Sequence, residues 1–341
     1  MGLASGIFMI DTHVMGPGIG PDPALREARE SELLYHMDRR GVDVCVLCTL
    51  VPGINQHNAD LVKKHPDRFI ALCNDEQTQI KNTKGIEKWT MEAAIKELEI
   101  LLDSGLYRGV GVGMPRDRTA RRELLDWEVR LDQICMLFEL AKKYDFPITW
   151  HTGIPIGTHG QRDMARSRAH YESSDNGNPL LAHELATMYP DVPIIFYHGG
   201  VEASGYFMED YERCLNVAAS HHNVYIETGQ WWAELYEKPL KDPNIGAKKL
   251  IFGSGGQGNS QQAWMPGCVP EMVLQLPIEQ EPSRHMPDIW GWSLGQLGRL
   301  NIPQDDINLI LGGNAAFVYK IKTPVPHERL FKNVERKYVK T

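Results

Sequence analysis

The sequence predicts a (β/α)8 TIM barrel, an α/β fold, and three observations support that prediction. Short apolar, β-branched runs alternate with helical stretches, which is the pattern of a parallel sheet. Eight such runs occur, the number that closes a barrel. No Pro/Gly/Ser-rich linker divides the 341 residues, so we expect one domain over 1–341, with a core at about 6–322 and a tail at 323–341. The eight predicted strands are 6–13, 42–50, 68–74, 107–114, 146–153, 192–200, 223–229 and 249–256.

The segments between these runs have the marks of helices that cover a sheet. ALREARESELLYHMDRRG stops at Gly41 and TMEAAIKELEILLDSG stops at Gly105, the residue type that most often ends a helix. Two excursions, 154–183 after the fifth strand and 257–303 after the eighth, exceed a minimal barrel. Segments that follow barrel strands form the catalytic face, so we expect both excursions to shape or cover a substrate pocket.

Composition and charge exclude several classes of protein. With 42% hydrophobic and 23% charged residues, the chain is not a disordered or collagen-like protein. A net charge of -8 makes nucleic acid a poor partner, because binders of phosphate backbones concentrate positive charge. No segment approaches the ~20 apolar residues of a membrane span, and the first residues lack a secretory pattern. We therefore expect a cytoplasmic protein with no membrane partner.

The six cysteines are expected to be reduced thiols rather than a disulfide framework. Cys45 and Cys48 form a C-x-x-C, but the motif lies inside VDVCVLCTL, which has the composition of a buried strand. A zinc or redox motif needs both sulfurs at a turn or at the start of a helix. We therefore expect no metal or redox role for this pair.

Polar residues stand at the carboxyl ends of several predicted strands. Because alternate residues of a strand share a face, Asp11, His13 and Met15 are expected to project together into the barrel mouth. His151 closes the fifth strand and His198 closes the sixth. Each histidine alone is more often a core residue bonded to a carbonyl, but three at converging strand ends favour a metal or acid/base site.

The chain carries ID-T-H on the first strand, followed in order by PITWHTG, PIIFYHGG, NVYIETG, FGSGG and ILGGNAAFVYKI. In this order the motifs resemble the amidohydrolase-related group within the amidohydrolase superfamily. The group includes aminocarboxymuconate-semialdehyde decarboxylase and γ-resorcylate decarboxylase, and the resemblance runs from Met9 to about Lys322. Each motif alone is weak, but their order and spacing imply the barrel fold.

The resemblance implies a set of site residues. The family's first strand carries H-x-H or carboxylate-x-His as metal ligands, which leaves Asp11 with His13, or His13 with Met15, as the candidates. A thioether binds hard divalent ions poorly, so the second pair would give a weak site. His151 matches the metal-binding histidine of the fifth strand. His198 matches the histidine of the sixth strand that acts on substrate as an acid or base.

The eighth strand departs from the family pattern. Where the family has G-S-D, with an aspartate that binds metal and handles protons, this chain has Gly253, Ser254 and Gly255. The site then either holds one divalent ion, Zn or Mn, with Glu227 or a loop residue substituting, or is metal-free. Without a metal, His198 and His151 would transfer protons themselves, as the imidazole pKa near 6.5 allows.

The excursions and strand ends supply candidates for substrate binding. Arg162, Arg166 and Arg168 offer guanidinium groups suited to a bidentate grip on a carboxylate, unless they form a solvated basic patch. Trp231 and Trp232 offer a flat wall for a ring-shaped substrate, with packing under the loops as the alternative. Trp290 is expected to be a packing or interface residue.

Three functions remain open on the sequence alone. The first is a carbon–carbon lyase, a non-oxidative decarboxylase acting on a cyclic or unsaturated carboxylate, with His198 moving a proton and an arginine binding the carboxylate. The second is a hydrolase or hydratase that opens a ring, lactone or diketone, with His198 and Glu227 activating water. The third is a non-catalytic barrel that serves as a binding subunit. Family resemblance also implies a homodimer or homotetramer.

Overall fold

The computed structural model describes residues 8–16, 23–48, 54–111, 127–152, 178–201, 208–229, 231–255 and 289–324. All eight predicted strands are present, each within one of the predicted ranges or at most two residues beyond it. They are β1 (Ile10–Met15), β2 (Val44–Cys48), β3 (Phe69–Cys73), β4 (Tyr107–Val110), β5 (Ile148–His151), β6 (Ile194–Tyr197), β7 (Val224–Glu227) and β8 (Leu250–Ile251).

Helices separate the strands, as the alternating pattern predicts. The described helices are α1 (Pro23–Arg40), α2 (Asn55–Lys64), α3 (Glu76–Thr83), α4 (Met91–Asp103), α5 (Trp127–Tyr144), α6 (Ala182–Met188), α7 (Met208–Ser220), α8 (Ala233–Lys241), α9 (Ile289–Gly298), α10 (Gln304–Asn308) and α11 (Asn314–Val318). A π-helical turn, Leu309–Gly313, joins the last two, and short 3-10 turns cover Pro179–Leu181, His198–Gly200 and Ala247–Lys249.

The predicted helix stops are confirmed at both glycines. Gly41 and Gly105 follow α1 and α4 with φ of +71° each. This is a left-handed conformation that a residue with a Cβ adopts only at a cost. Thr90 caps the start of α4, since its hydroxyl accepts the Ala93 N–H at 3.2 Å, the contact typical of an N-cap threonine. These local signals fix the end of α1 and both ends of α4.

The strands form two parallel four-stranded sheets that together make the barrel. One sheet has the order β1-β2-β3-β4 and the other β5-β6-β7-β8. The Thr12 N–H and hydroxyl of β1 both donate to the Phe252 carbonyl that follows β8, at 3.3 and 3.0 Å. Strands β4 and β5 lie side by side at the other seam. The carboxyl ends of all strands therefore open on one face.

Alternation along β2 shows how both sheet faces are buried. Val44, Val46 and Cys48 pack inside the barrel with residues such as Ile10. Cys45, between them, packs with the helix-facing core. Because Cys45 and Cys48 face opposite sides of the sheet, they share no site, as the strand interpretation of the C-x-x-C predicts.

Parts of both excursions lie outside the described residues. The structure describes 178–183 of the first and 289–303 of the second, where Ile289–Gly298 forms α9. The tail is described only to residue 324. Among the residues that are described, no helix is long and apolar enough to cross a bilayer.

Candidate active site

Four polar side chains meet at the carboxyl ends of β1, β5, β6 and β7. They are His13, His151, His198 and Glu227, and each occupies the strand position at which the sequence predicts it. The ring centroids of His13 and His198 are 5.0 Å apart, and those of His151 and His198 are 4.4 Å apart. The three histidines and Glu227 therefore lie together in one site.

Glu227 is the buried anchor of this cluster. Its Oε2 accepts the His198 backbone N–H at 2.7 Å and lies 3.4 Å from His13 Nδ1, and its Oε1 accepts the Gly229 N–H. Burial raises the pKa of Glu227, while the charge and backbone N–H of His198 and the N–H of Gly229 oppose that shift. A Cβ at Gly253 would overlap this carboxylate, so the glycine of FGSGG makes room for it.

The backbone of His198 adopts an unusual conformation. Its φ is +65°, and Gly199 follows at +53°. Non-glycine residues rarely occupy this left-handed region. Both polar groups of the His198 peptide are held, because the N–H donates to Glu227 and the carbonyl accepts the Trp231 indole N–H at 3.1 Å. Strain of this kind persists only where neighbouring groups over-determine it, which is common at functional sites.

His198 and His151 form an imidazole pair. Their Nε2 atoms are 2.9 Å apart, so one ring donates a hydrogen bond and the other accepts it. His198 is buried, whereas His151 is only half-buried. The sequence assigns proton transfer chiefly to His198, but the structure makes His151 the more exposed member of the pair, with His198 behind it.

The third histidine, His13, stacks on an aromatic side chain next to the imidazole pair. Its ring stacks on Tyr197 with centroids 4.0 Å apart and an interplanar angle of 22°. The Tyr197 hydroxyl donates to the Thr12 carbonyl at 2.8 Å. Burial lowers the pKa of His13 to about 3, so the imidazole is neutral and able to bind a metal.

Three of these side chains fit a divalent ion. Ligand atoms of His13, His198 and Glu227 lie within 4.8 Å of one another, and all three residues are buried. Two imidazoles and one carboxylate form the His2Glu set found in catalytic zinc sites, where three protein ligands leave one position open. The donor chemistry therefore suits a divalent metal, with Gly255 contributing no side chain to it.

Asp11, the other first-strand candidate, is used differently. One oxygen accepts the backbone N–H of His13 and of Ser254, each at 3.0 Å, and the other accepts the Trp290 indole N–H at 2.5 Å. Burial raises the pKa of Asp11 to about 6 in spite of these bonds. The carboxylate thus joins β1, the end of β8 and α9, and it is not part of the three-residue donor group. The side chain of Met15 lies outside the described part of the chain.

The predicted substrate contacts have different outcomes. Trp231 is fully buried and packs against Tyr211 and Tyr236, so the packing alternative describes it and it presents no wall to a substrate. Trp232 is half-buried beside the core. Arg162, Arg166 and Arg168 lie outside the described residues.

Two neighbours of the site are not among the site residues that the sequence predicts. Tyr197 stacks on the His13 ring, and the Trp290 indole N–H donates to Asp11. Tyr197 ends β6 and packs inside the barrel with Ile195. Strand alternation that directs His198 into the barrel mouth would turn Tyr197 away from it, and both face inward only because His198 leaves the strand in a 3-10 turn. Trp290 lies 279 residues from Asp11, and no local pattern connects the two.

An eight-stranded parallel barrel with imidazoles and a buried carboxylate at its strand ends defines a TIM-barrel enzyme. The profile of the amidohydrolase family matches residues 11–321, and the chain belongs to this family of the amidohydrolase superfamily. No curated protein sequence matches the chain.

Solved structures share the fold at low sequence identity. A probable 2-pyrone-4,6-dicarboxylic acid hydrolase from Acinetobacter baumannii is 14% identical with a TM-score of 0.50, covering 92% of this chain and 99% of that one. A TatD family hydrolase from Entamoeba histolytica is 12% identical with a TM-score of 0.53, covering 94% and 100%. YJJV, a TatD homolog from Escherichia coli, is 15% identical with a TM-score of 0.51, covering 92% and 98%. These likenesses concern the fold.

Proposed function

We propose that this amidohydrolase-family enzyme is a carbon–carbon lyase, a non-oxidative decarboxylase that acts on a cyclic or unsaturated carboxylate. The observation that carries the proposal is the imidazole pair, with His151 Nε2 and His198 Nε2 2.9 Å apart at the mouth of the barrel. A pair of rings in contact is suited to delivering one proton to a reacting carbon and replacing it.

The carboxylates near the pair are already bonded, which favours proton donation over activation of water. Glu227 accepts two backbone N–H groups, and Asp11 accepts two more with an indole N–H. Gly255 has no side chain where the resemblance implies an aspartate. Among the described strand ends, the imidazoles are thus the groups best placed to exchange a proton with substrate.

The proposed reaction balances without an added oxidant or reductant. The bond between the substrate carbon and its carboxylate breaks, and its electron pair stays on the carbon as CO2 leaves. His151, the more exposed ring, is protonated and gives a proton to the carbon. Solvent then restores that proton, so the net reaction consumes one proton for each CO2 released. The hydrogen bond between the two Nε2 atoms holds the His151 ring against His198, and Glu227 and Trp231 keep the His198 peptide in place.

We propose that His13, His198 and Glu227 hold one divalent ion, with zinc favoured over manganese because two of the donors are imidazoles. Such an ion would supply Lewis-acid polarisation of a substrate oxygen. The arginines at 162, 166 and 168 stay our prediction for the grip on the carboxylate.

A second candidate is hydrolysis of a ring or lactone. It is favoured by the 3.4 Å approach of His13 Nδ1 to Glu227 Oε2, which brings together the donors that metal-dependent hydrolases use. In that case His151 would take a proton from water instead of giving one to carbon.

A panel of cyclic and unsaturated carboxylates tests the proposal. We expect at least one to release one CO2 for each molecule consumed, and His151→Asn to lose that release. If the enzyme instead opens ring esters and releases no CO2, the decarboxylase proposal is wrong and the hydrolase candidate takes its place.

Elemental analysis of the purified protein tests the metal site without relying on activity. We expect about one zinc per chain, and loss of that zinc in His13→Asn and in Glu227→Gln. The exposed pair His183 and His221, with Nδ1 and Nε2 2.8 Å apart, is a source of adventitious zinc, so His221→Asn is the control. Zinc that disappears only in the control variant would contradict the assignment.

A further inference from the structure

The mouth of the barrel has a second polar group, on the side of β2 and β3. It consists of Asn55 and Asn58 in the first turn of α2 and Asn74 at the end of β3, and we call it the asparagine cluster. All three residues are buried. Because α2 follows β2 and Asn74 follows β3, the cluster lies on the same face of the barrel as the histidines.

Within the described part of the chain, only one of the three side-chain amides has hydrogen-bond partners. Asn55 donates through Nδ2 to the Asn74 carbonyl at 2.7 Å and accepts the Asn74 N–H at 3.0 Å. In contrast, Nδ2 and Oδ1 of both Asn58 and Asn74 are buried with no group of the described residues in hydrogen-bond range. Buried amides are almost always bonded, so four unpaired atoms in one cluster need an explanation.

The chain makes room for these amides beside the histidine-bearing strand. A Cβ at Gly16, the residue that follows β1, would overlap Asn58 Oδ1. His13 is three residues earlier on that strand. Asn58 therefore lies against the end of the strand that carries His13.

The charge around the cluster selects the kind of group it would bind. Asp75 and Glu76 begin the next helical segment, and Glu76 accepts the N–H groups of Ile54 and Asn55 at 2.6 Å each. These carboxylates disfavour an anion. Each amide also carries both a donor and an acceptor, and a carboxylate would leave both Oδ1 atoms unpaired.

We infer that Asn58 and Asn74 form a recognition subsite for a hydroxyl group of the substrate, a group that both donates and accepts. The inference rests on the proposed function in that the carboxylate of the same substrate reacts at the histidines. The substrate class thus narrows to hydroxylated cyclic or unsaturated carboxylates, and a substrate lacking the hydroxyl is rejected because buried amides then stay unpaired.

Nuclear magnetic resonance of the side-chain amides, with two probes, tests this separately from catalysis. Phenol carries the hydroxyl without a carboxylate, and toluene is its matched control. We expect phenol, and not toluene, to shift the Asn58 and Asn74 N–H resonances, and Asn58→Leu or Asn58→Ala to weaken phenol binding by ~10-fold. Equal shifts with both probes, or amide protons that contact only an ordered water, would overturn the subsite.

Benzoate provides the arm that tests the proposed function. Shifts at His151 and His198 with benzoate, without phenol shifts at the asparagines, would keep the proposed function and remove the subsite. Shifts at the asparagines with phenol, without shifts at His151 and His198 with benzoate, would keep the subsite and remove the proposed function.

Thermal unfolding gives an independent readout that needs no ligand. Replacing an unpaired buried amide by an apolar side chain of similar shape removes a desolvation penalty, so Asn58→Leu should raise Tm by ~2 °C or more. Asn314 is the control, because its Nδ2 donates to the Ala247 and Leu250 carbonyls at 2.8 Å each, and Asn314→Leu should lower Tm. A fall in Tm for Asn58→Leu and Asn58→Ala alike would contradict the inference.

Discussion

The two sides of the barrel mouth treat buried polar groups in opposite ways. On the side of β6 to β8, with β1, the carboxylates of Glu227 and Asp11 accept five hydrogen bonds between them from backbone N–H groups and an indole. On the side of β2 and β3, the amides of Asn58 and Asn74 find no partner among the residues that the structure describes. The first side is bonded within the chain, while the second is suited to an external group.

This difference separates reaction from recognition. A catalytic group must be held in place before the substrate arrives, because reorganisation during the reaction costs rate. A recognition group gains selectivity when its hydrogen bonds are made only to the correct ligand. The bonded side therefore suits the chemistry and the unbonded side suits the choice of substrate.

The largest expected effect breaks the catalytic side. His151→Asn removes the more exposed member of the imidazole pair, and we expect kcat to fall by ~10³-fold, within the range for loss of a general acid. KM should change little, because the asparagine cluster is untouched. His183→Asn, in the exposed histidine pair, is the matched control and should keep full activity. A His151→Asn enzyme within threefold of the wild type would assign the proton transfer to another residue.

Removal of the anchor should affect stability as well as rate. Glu227→Ala leaves the N–H groups of His198 and Gly229 buried without their acceptor, and we expect the free energy of unfolding to drop by ~3 kcal/mol. Urea unfolding measures this. Glu227→Gln retains an acceptor and should lose less. Equal stability of the wild type and Glu227→Ala would show that the carboxylate does not hold the His198 backbone.

Much of the fold can be predicted from the sequence, because strand and helix signals are local. Alternating β-branched runs locate all eight strands, and Gly41 and Gly105 locate two helix ends. His13, His151, His198 and Glu227 are found for the same reason, since a barrel directs its strand ends to one face.

The roles of other residues depend on contacts that are distant in sequence. Nothing near Asp11 indicates that Trp290 takes one of its oxygens, and nothing near Trp231 indicates that its indole holds the His198 carbonyl. The asparagine cluster escapes sequence reasoning because an asparagine at a helix start normally indicates a cap. Only the packed structure shows that two of the amides are unpaired among the described residues.

A smaller effect is expected at a buried charge on the opposite face of the barrel. Lys249, at the start of β8, donates to the Ala218 and His221 carbonyls, and burial lowers its pKa from 10.5 to about 8. Between these two pKa values the unfolded chain binds the proton and the folded chain does not. The free energy of unfolding should therefore rise from about pH 8 to pH 10.5.

Lys249→Met removes this contribution. Buried tyrosines also change the free energy of unfolding in this pH range, but they are the same in both proteins, so the difference between the wild type and the variant reports Lys249 alone. Relative to Lys249→Met, the wild type should gain roughly 2 kcal/mol as the pH rises through this window. A constant difference across the window would show that Lys249 titrates as an exposed lysine.

The most direct measurement follows isotopes from solvent into product during turnover of a carboxylate substrate. In D2O, we predict one deuteron on the carbon that carried the carboxylate, with one CO2 released, and in H2¹⁸O we predict no solvent oxygen in the ring product. An oxygen-18 label in an acid product, with no deuterium on carbon and no CO2, would contradict proton transfer to carbon and make water the reacting group.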